Sequence, residues 1–368
     1  MSIETSALQS VRNIASYRAG RPIANVAREF GLDPGRIVKL ASNENALGMS
    51  TKARDALARC AADAFRYPDS DNHDLRQALV AHLGLPSEML LPCAGSSQMI
   101  LLVARAFLDG TRSAVIPQYS FMSYELAVRS VGARPIIVPQ PECRPNLDRL
   151  LSALEPGVRV LYMATPNNPT GASLDPVALQ EFIAAVPADV LIVLDEAYRD
   201  FVAPADRPHI EPLLARHRNL LVMRTFSKIH GLAGLRVGYA IGDPGVVDLL
   251  RRLQLPFGVS TLAQAAAPAA LADVEFVERC YRNNLEQREW LCGRFAALGL
   301  AYLPSQANFV LVRVGRGMDT FQALLRRGVI VRPVDNYGLP EWLRITVGLP
   351  EENRRFVDEL QSILAAGS

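Results

Sequence analysis

Four short segments carry residue types suited to chemistry on an anionic, carbonyl-bearing small molecule. The first is Arg224-Thr-Phe-Ser-Lys228, followed by Ile-His-Gly-Leu-Ala-Gly-Leu-Arg236. A lysine directly after an apolar run, among hydroxyls and small residues, can form a Schiff base if its pKa is lowered. Burial or a nearby cation such as Arg236 would lower it. Taken alone, Lys228 reads more simply as a solvated loop lysine. The second segment is Leu191-Ile-Val-Leu-Asp195-Glu-Ala-Tyr198. An acid ending so apolar a run is costly unless it meets a cation or a proton. A pyridinium nitrogen is one such partner; a metal ion or a helix N-terminus are the others.

The third segment, Ala164-Thr-Pro-Asn-Asn-Pro-Thr-Gly171, is a tight turn by composition. It can also aim an asparagine amide at a ligand oxygen. In the fourth, Cys93-Ala-Gly-Ser-Ser-Gln98, a helix begins. Its free backbone N–H groups and two hydroxyls suit a phosphate, although such a helix start is common.

These segments need elements that bring them together. Apolar strand candidates are Ala114–Ile116, Pro135–Val138, Val158–Met163, Val190–Leu194, Leu220–Met223 and Val237–Ile241. Helical stretches at Ser97–Phe107, Tyr124–Val131, Leu147–Leu154 and Pro176–Ala185 separate most of them, the last with Asp175 as N-cap and Pro176 at its first position. Such alternation predicts a mostly parallel sheet covered on both faces, with ligands beyond the carboxyl ends of its strands. Each candidate segment follows a strand or opens a helix, where that rule puts a site. After about Pro256 the pattern changes. It reads as a long helix at Val274–Leu298, strands at Asn308–Arg313, Val329–Arg332 and Leu343–Val347, and helices at Thr320–Arg327 and Glu351–Ala365. The expected division is an N-terminal segment 1–45 joining a small α+β domain, a large domain 46–260, and the small domain 261–368.

Bulk properties exclude several function classes. A net charge of +2 gives no electrostatic case for nucleic acid or an anionic membrane. The five cysteines, at 60, 93, 143, 280 and 292, have no CxxC spacing and suggest free thiols rather than disulfides or a metal site. No signal-peptide pattern opens the chain and no run is apolar enough to span a bilayer, so a cytoplasmic location is expected.

Taken together and in order, Gly-Ser-Ser-Gln, Pro-Asn-Asn-Pro-Thr-Gly, Asp-Glu-Ala-Tyr, Ser-Lys and Gly-Leu-Arg resemble the fold type I aminotransferases that use pyridoxal 5'-phosphate (PLP). More narrowly, the chain resembles the histidinol-phosphate aminotransferase family. Lys39-Leu-Ala-Ser-Asn-Glu-Asn45, Arg66-Tyr-Pro-Asp69, Gly328-Val-Ile-Val-Arg-Pro333 and Leu343-Arg-Ile-Thr-Val-Gly348 extend the likeness over nearly the whole chain. The resemblance implies an α/β fold with a mostly parallel seven-stranded sheet in the large domain. It also implies a homodimer with its sites at the subunit interface.

Residue roles follow from the same resemblance. Lys228 would carry the cofactor and shuttle a proton during the reaction. Asp195 would hold the proton on the ring nitrogen, Asn168 and Tyr198 would bind the ring oxygen, and Tyr119 would stack on the ring. Ser96, Ser97, Ser227 and Arg236 would hold the phosphate, with Tyr67 supplied by the partner subunit. Arg344 would grip the substrate's anionic group, helped by Arg332, Tyr17 and Asn43. Transamination of L-histidinol phosphate with 2-oxoglutarate is the implied reaction. The other readings are an aromatic amino acid aminotransferase and a PLP decarboxylase or cyclase.

Three departures from the family pattern stand out. Ala46 replaces a common proline; His230 stands where relatives often carry an aromatic, favouring a packing role over a changed pocket; and the stretch Tyr119–Tyr124 is longer than in some members.

Overall fold

The apolar runs in the middle of the chain lack a polar face because both of their faces are covered. In the computed structural model, which describes residues 2–14 and 20–366, they form one sheet. Tyr17, expected at the substrate site, lies outside the described residues. In chain order the strands are β1 (Val38–Lys39), β2 (Leu90–Cys93), β3 (Ser113–Pro117), β4 (Arg134–Val138), β5 (Val158–Ala164), β6 (Leu191–Asp195), β7 (Leu220–Thr225), β8 (Gly238–Gly242), β9 (Phe309–Arg313), β10 (Val329–Ile330), β11 (Arg332–Val334) and β12 (Leu339–Thr346).

Seven of them make the large sheet in the order β2-β8-β7-β6-β5-β3-β4. Neighbours pair in parallel except at β8, which runs antiparallel to both β2 and β7. Along β6, Ile192 and Leu194 enter one core while Leu191 and Val193 enter the other. In β7, Leu220 and Val222 alternate with Leu221 and Met223 in the same way. This two-residue period puts every second side chain in each layer, so a strand covered on both sides has no polar position to spare. Helices Thr51–Cys60, His73–Leu83, Pro176–Ala185, Ile210–Arg216 and Thr261–Leu271 cover the first face. Ser96–Phe107, Ser123–Ser130 and Pro244–Arg251 cover the second. Fully burying each such aliphatic side chain contributes about 1.5–3 kcal/mol. The start of Pro176–Ala185 is capped by Asp175, which accepts from Val177 N at 3.0 Å and Ala178 N at 2.9 Å.

The structure differs from the sequence reading in several places, among them these. Strand β2 was not among the strand candidates. It is four residues long and contains Pro92, a residue tolerated at the sheet edge that β2 occupies. The run Val329–Arg332 is broken at Val331, so that β10 pairs with β1 and β11 with β12. Helix Thr261–Leu271, placed in the small domain by the division at residue 260, packs on Thr51–Cys60 and His73–Leu83. Its Ala263, Ala266, Ala267 and Ala270 lie in one cluster with Ala53, Leu75 and Leu79. Alanines allow that close helix approach but leave no strong amphipathic pattern to read.

Around a third core, away from the large sheet, Val26 and Leu40 meet Val310, Leu343, Ile345 and Phe356. That core is built on the antiparallel sheet β11-β12-β9 and the parallel pair β1-β10. Helices Val274–Ala297, Gly317–Arg326 and Pro350–Ala366 accompany it. Among the described residues no helix is long and apolar enough to cross a membrane.

Candidate active site

Parallel strands all end on the same edge of their sheet, so segments far apart in sequence meet there. Asp195 is the last residue of β6, Asn168 follows β5, and Ser227 and Lys228 follow β7. Ser96 and Ser97 open the helix after β2, and Ser42 to Glu44 arrive from the segment after β1. A cavity of about 270 Å³ joins them, closed on the other side by Arg332 of β11 and Arg344 of β12.

Asp195 and Lys228 have the environments their chemistry requires. Tyr124 Oη donates to Asp195 Oδ2 at 2.8 Å, and Ala197 N donates to Oδ1 at 3.0 Å. Burial pushes the Asp195 carboxyl up to about 6, against those two hydrogen bonds. It is thus a buried acid poised to accept a cation or share a proton. Lys228 Nζ donates to the carbonyls of Ser42 and Asn43, both at 3.2 Å. Burial, aided by the charges of Arg344 and Arg236, pushes its amine down to about 7, with Glu44 and Asp195 opposing. Near neutrality a large share of Lys228 is therefore a neutral, nucleophilic amine. Lys228 thus lines the cavity rather than extending into solvent.

One end of the cavity is built for an anion. Arg236 donates to Ser227 Oγ at 3.3 Å and to the Ala233 carbonyl at 3.0 Å, both neutral acceptors. Its backbone sits at φ 54°, a region that costs a non-glycine residue energy and is found most often at functional sites. Gly95, at φ 80°, passes directly beside it; a Cβ there would lie 2.5 Å from Arg236 NH2. Only glycine lets the Ser96–Ser97 turn approach the guanidinium so closely. A phosphate fits this arrangement of hydroxyls, helix N–H groups and a cation without an acidic partner.

Two cations face each other at the opposite wall. Arg332 and Arg344 are direct partners across the β11–β12 ladder. Like charges opposite each other in a sheet are unfavourable unless an anion joins them. Arg344 donates to Asn168 Oδ1 at 2.5 Å and to the Ala41 carbonyl at 2.7 Å, which holds it in place.

Most sequence-predicted residues converge here: Asn43, Ser96, Ser97, Asn168, Asp195, Tyr198, Ser227, Lys228, Arg236, Arg332 and Arg344 all line the cavity. Asn43, at φ 54°, donates to Tyr198 Oη at 2.9 Å, so it orients that phenol as well as facing the cavity. Tyr119 is not among the residues lining this cavity; it sits at φ 58° beside it, packed with Tyr337, which lines the cavity, while Phe121 and Tyr124 of the same stretch also reach it. Tyr67 lies outside its own chain's cavity, 82% exposed and stacked on Phe257 at 4.6 Å. His230 packs against the Phe226 ring at 5.0 Å and does not line the cavity, in keeping with a packing role. The sequence reading missed Phe121, Tyr124, Glu44 and Tyr337 as lining residues. The three aromatics in the six residues Tyr119 to Tyr124 were the signal available for the first two. Among the described residues no three His, Cys, Asp or Glu side chains converge as metal ligands would.

A buried ion pair braces the strand ends behind the site. Arg224 Nε and NH2 both reach Glu196 Oε2 at 2.8 Å, with the Glu196 side chain fully buried. Glu196 follows Asp195, and Arg224 lies four residues before Lys228. Glu196→Ala would strand a buried guanidinium and should destabilise the protein by about 3–5 kcal/mol. Urea denaturation reads this directly, and a loss below about 1 kcal/mol would show that the pair is dispensable.

Comparison with known proteins places this geometry among related chains. Residues 35–360 match the family model described as aminotransferase class I and II. The chain is 49% identical over 359 residues to histidinol-phosphate aminotransferase 2 of Ralstonia nicotianae, covering 96% of each chain. It is 47% identical over 358 residues to histidinol-phosphate aminotransferase 1 of Cupriavidus pinatubonensis, covering 96% of this chain and 95% of that one. Among solved structures, histidinol-phosphate aminotransferase from Sinorhizobium meliloti in complex with pyridoxal-5'-phosphate superposes with a TM-score of 0.89. Its sequence identity is 28%, over 99% of this chain and 100% of that one.

Proposed function

The chain belongs to the aminotransferase class I and II family, and on that premise we propose that it transfers the amino group of L-histidinol phosphate to 2-oxoglutarate. The products would be imidazole acetol phosphate and L-glutamate, a step of histidine biosynthesis, with PLP as cofactor. The relatives' shared activity, at 49% and 47% identity over nearly the full chain, supports the substrate. The observation that carries the reading is a single cavity holding Lys228, the buried acid Asp195 and two separate cationic walls. One wall suits a cofactor phosphate and the other a substrate's anionic group.

The cofactor, when bound, supplies an aldehyde that condenses with amines and a protonated ring that accepts the electron pair released at the substrate's Cα. Everything else falls to the chain. Ser96, Ser97, Ser227 and Arg236 hold the phosphate. Asp195 keeps the proton on the ring nitrogen, and Tyr124 and Ala197 N hold the carboxylate in position. Asn168 and Tyr198 orient the ring oxygen, and the aromatic stretch Tyr119–Tyr124, whose Phe121 lines the cavity, covers the ring. Lys228 Nζ moves the proton to and from the substrate's Cα, which its lowered pKa allows near neutral pH. Arg344 and Arg332 bind the substrate's phosphate or carboxylate through paired hydrogen bonds.

The same reading includes a homodimer. Tyr67 and Phe257 stack on each other at 4.6 Å and are 82% and 43% exposed, an apolar pair that a second subunit would cover. Tyr67 would then reach the partner's phosphate site. Five free thiols suit a reducing cytoplasm.

The test follows the visible absorbance of the holoenzyme as amino donors are added separately. Histidinol phosphate should discharge the lysine-bound cofactor signal fastest and at the lowest concentration, and 2-oxoglutarate should restore it. A preference for phenylalanine would make the protein an aromatic amino acid aminotransferase. Failure of any 2-oxo acid to restore the signal would exclude transamination.

A further inference from the structure

A second cavity, of about 260 Å³, lies on the far side of the Ser96 helix turn, between the edge strand β2, the turn at 70–72 and the segment 251–259. Two arginines line it, Arg76 and Arg251. Arg76 Nε and Arg251 NH2 are buried without a hydrogen-bond partner, as is Asn72 Oδ1. Neither guanidinium has an ion pair within 4.0 Å among the described residues. Two acids lie nearby, neither close enough to form an ion pair with them. Asp71 lines the cavity, and Asp69 attracts Arg76 through space, but its oxygens are engaged by His73 N at 2.7 Å and Asp71 N at 3.0 Å.

Buried donors without acceptors are costly, and an oxyanion accepting from both guanidiniums removes that cost. Further donors are within the lining. Gln98 and Gln254 both contribute amides, and Gln254 Nε2 is tied to the Pro92 carbonyl at 2.8 Å. Leu255, 70% exposed, offers an apolar lip to an organic group carried by the anion.

We propose that this cavity is a second anion site, which takes a small phosphate- or carboxylate-bearing molecule between Arg76 and Arg251. It is joined to the catalytic cavity by Gln98, whose Oε1 accepts from Ala94 N at 2.8 Å. Ala94 and Gly95 lead into Ser96 and Ser97 of the phosphate cradle. The two anion sites therefore share one helix turn, with the serines facing one cavity and Gln98 the other.

Isothermal titration of the holoenzyme with inorganic phosphate tests the site, because the cofactor then fills its own phosphate cradle. Wild type should show a binding event that persists in Arg344→Lys and weakens by about tenfold or more in Arg251→Gln. Arg251→Gln should leave the response to amino donors unchanged. Phosphate binding lost with Arg344→Lys and unaffected by Arg251→Gln would overturn the proposal. Crystals of the wild-type holoenzyme grown with selenate give a reading that needs no variant. An anomalous peak within hydrogen-bond reach of Arg76 and Arg251 supports the site. A peak at Arg344 alone, or a partner side chain filling the cavity, refutes it.

Discussion

Replacing Lys228 by alanine should lower turnover by about ten-thousand-fold, the upper range for losing one positioned acid–base group. The loss has two parts. The covalent link to the cofactor disappears, and so does the group that moves the Cα proton. The phosphate cradle and Asp195 remain, so the variant should still bind PLP, but with the absorbance of the free aldehyde. Little structural damage is expected, since among the described residues Lys228 Nζ hydrogen-bonds to two backbone carbonyls, Ser42 and Asn43, and otherwise lies 5.5 Å over the Tyr198 ring. The pH response supplies a second reading. An amine held near 7 is protonated below that value and neutral above it. Uptake of PLP by the wild-type apoprotein should therefore accelerate as pH rises and level off above about 7. A Lys228→Ala protein with wild-type absorbance, or with activity within about tenfold of wild type, would remove Lys228 from its role.

Asp195→Asn should cost about a hundred- to a thousand-fold in kcat with almost no effect on the fold. The carboxylate's surroundings explain why the two effects separate. Ala197 N can only donate, so the new amide must turn its oxygen toward it. Its NH2 then faces Tyr124 Oη, which can accept as readily as it donates. Packing and hydrogen bonding survive. What is lost is the negative charge, and with it the means of holding a proton on the ring nitrogen. Burial already makes the lone carboxylate costly, pushing it up to about 6, and a cationic ring beside it would relieve that cost. The Asn variant should therefore also release PLP more readily on dialysis. Activity within about tenfold of wild type, with unchanged PLP retention, would mean that Asp195 does not hold the ring proton.

Much of this site was legible because its key residues are local to strand ends. Asp195, Asn168, Ser227 and Lys228 each stand at or within a few residues of a strand's carboxyl end, and the apolar strands announce themselves. Turn and cap chemistry was equally readable, since Asp175 and Pro176 need only their own neighbours to start a helix. In contrast, which aromatics of the Tyr119–Tyr124 stretch line the cavity, Phe121 and Tyr124, was not legible in the sequence. Three aromatics in six residues cannot say which one faces the cavity.

Fold class, the chemical groups and the order in which they leave the sheet can thus be read from residue order alone. Periodicity, composition and short-range capping encode those features. How the groups act on one another depends instead on contacts between distant parts of the chain. Tyr124 and Asp195 meet because β3 and β6 lie on either side of β5 in one sheet. Arg332 and Arg344 face each other because β11 and β12 pair in a particular register. The Lys228 amine is lowered by burial and by Arg344, which arrives from the other core. Desolvation and charge–charge terms depend on distances through space, and strand order and register set those distances.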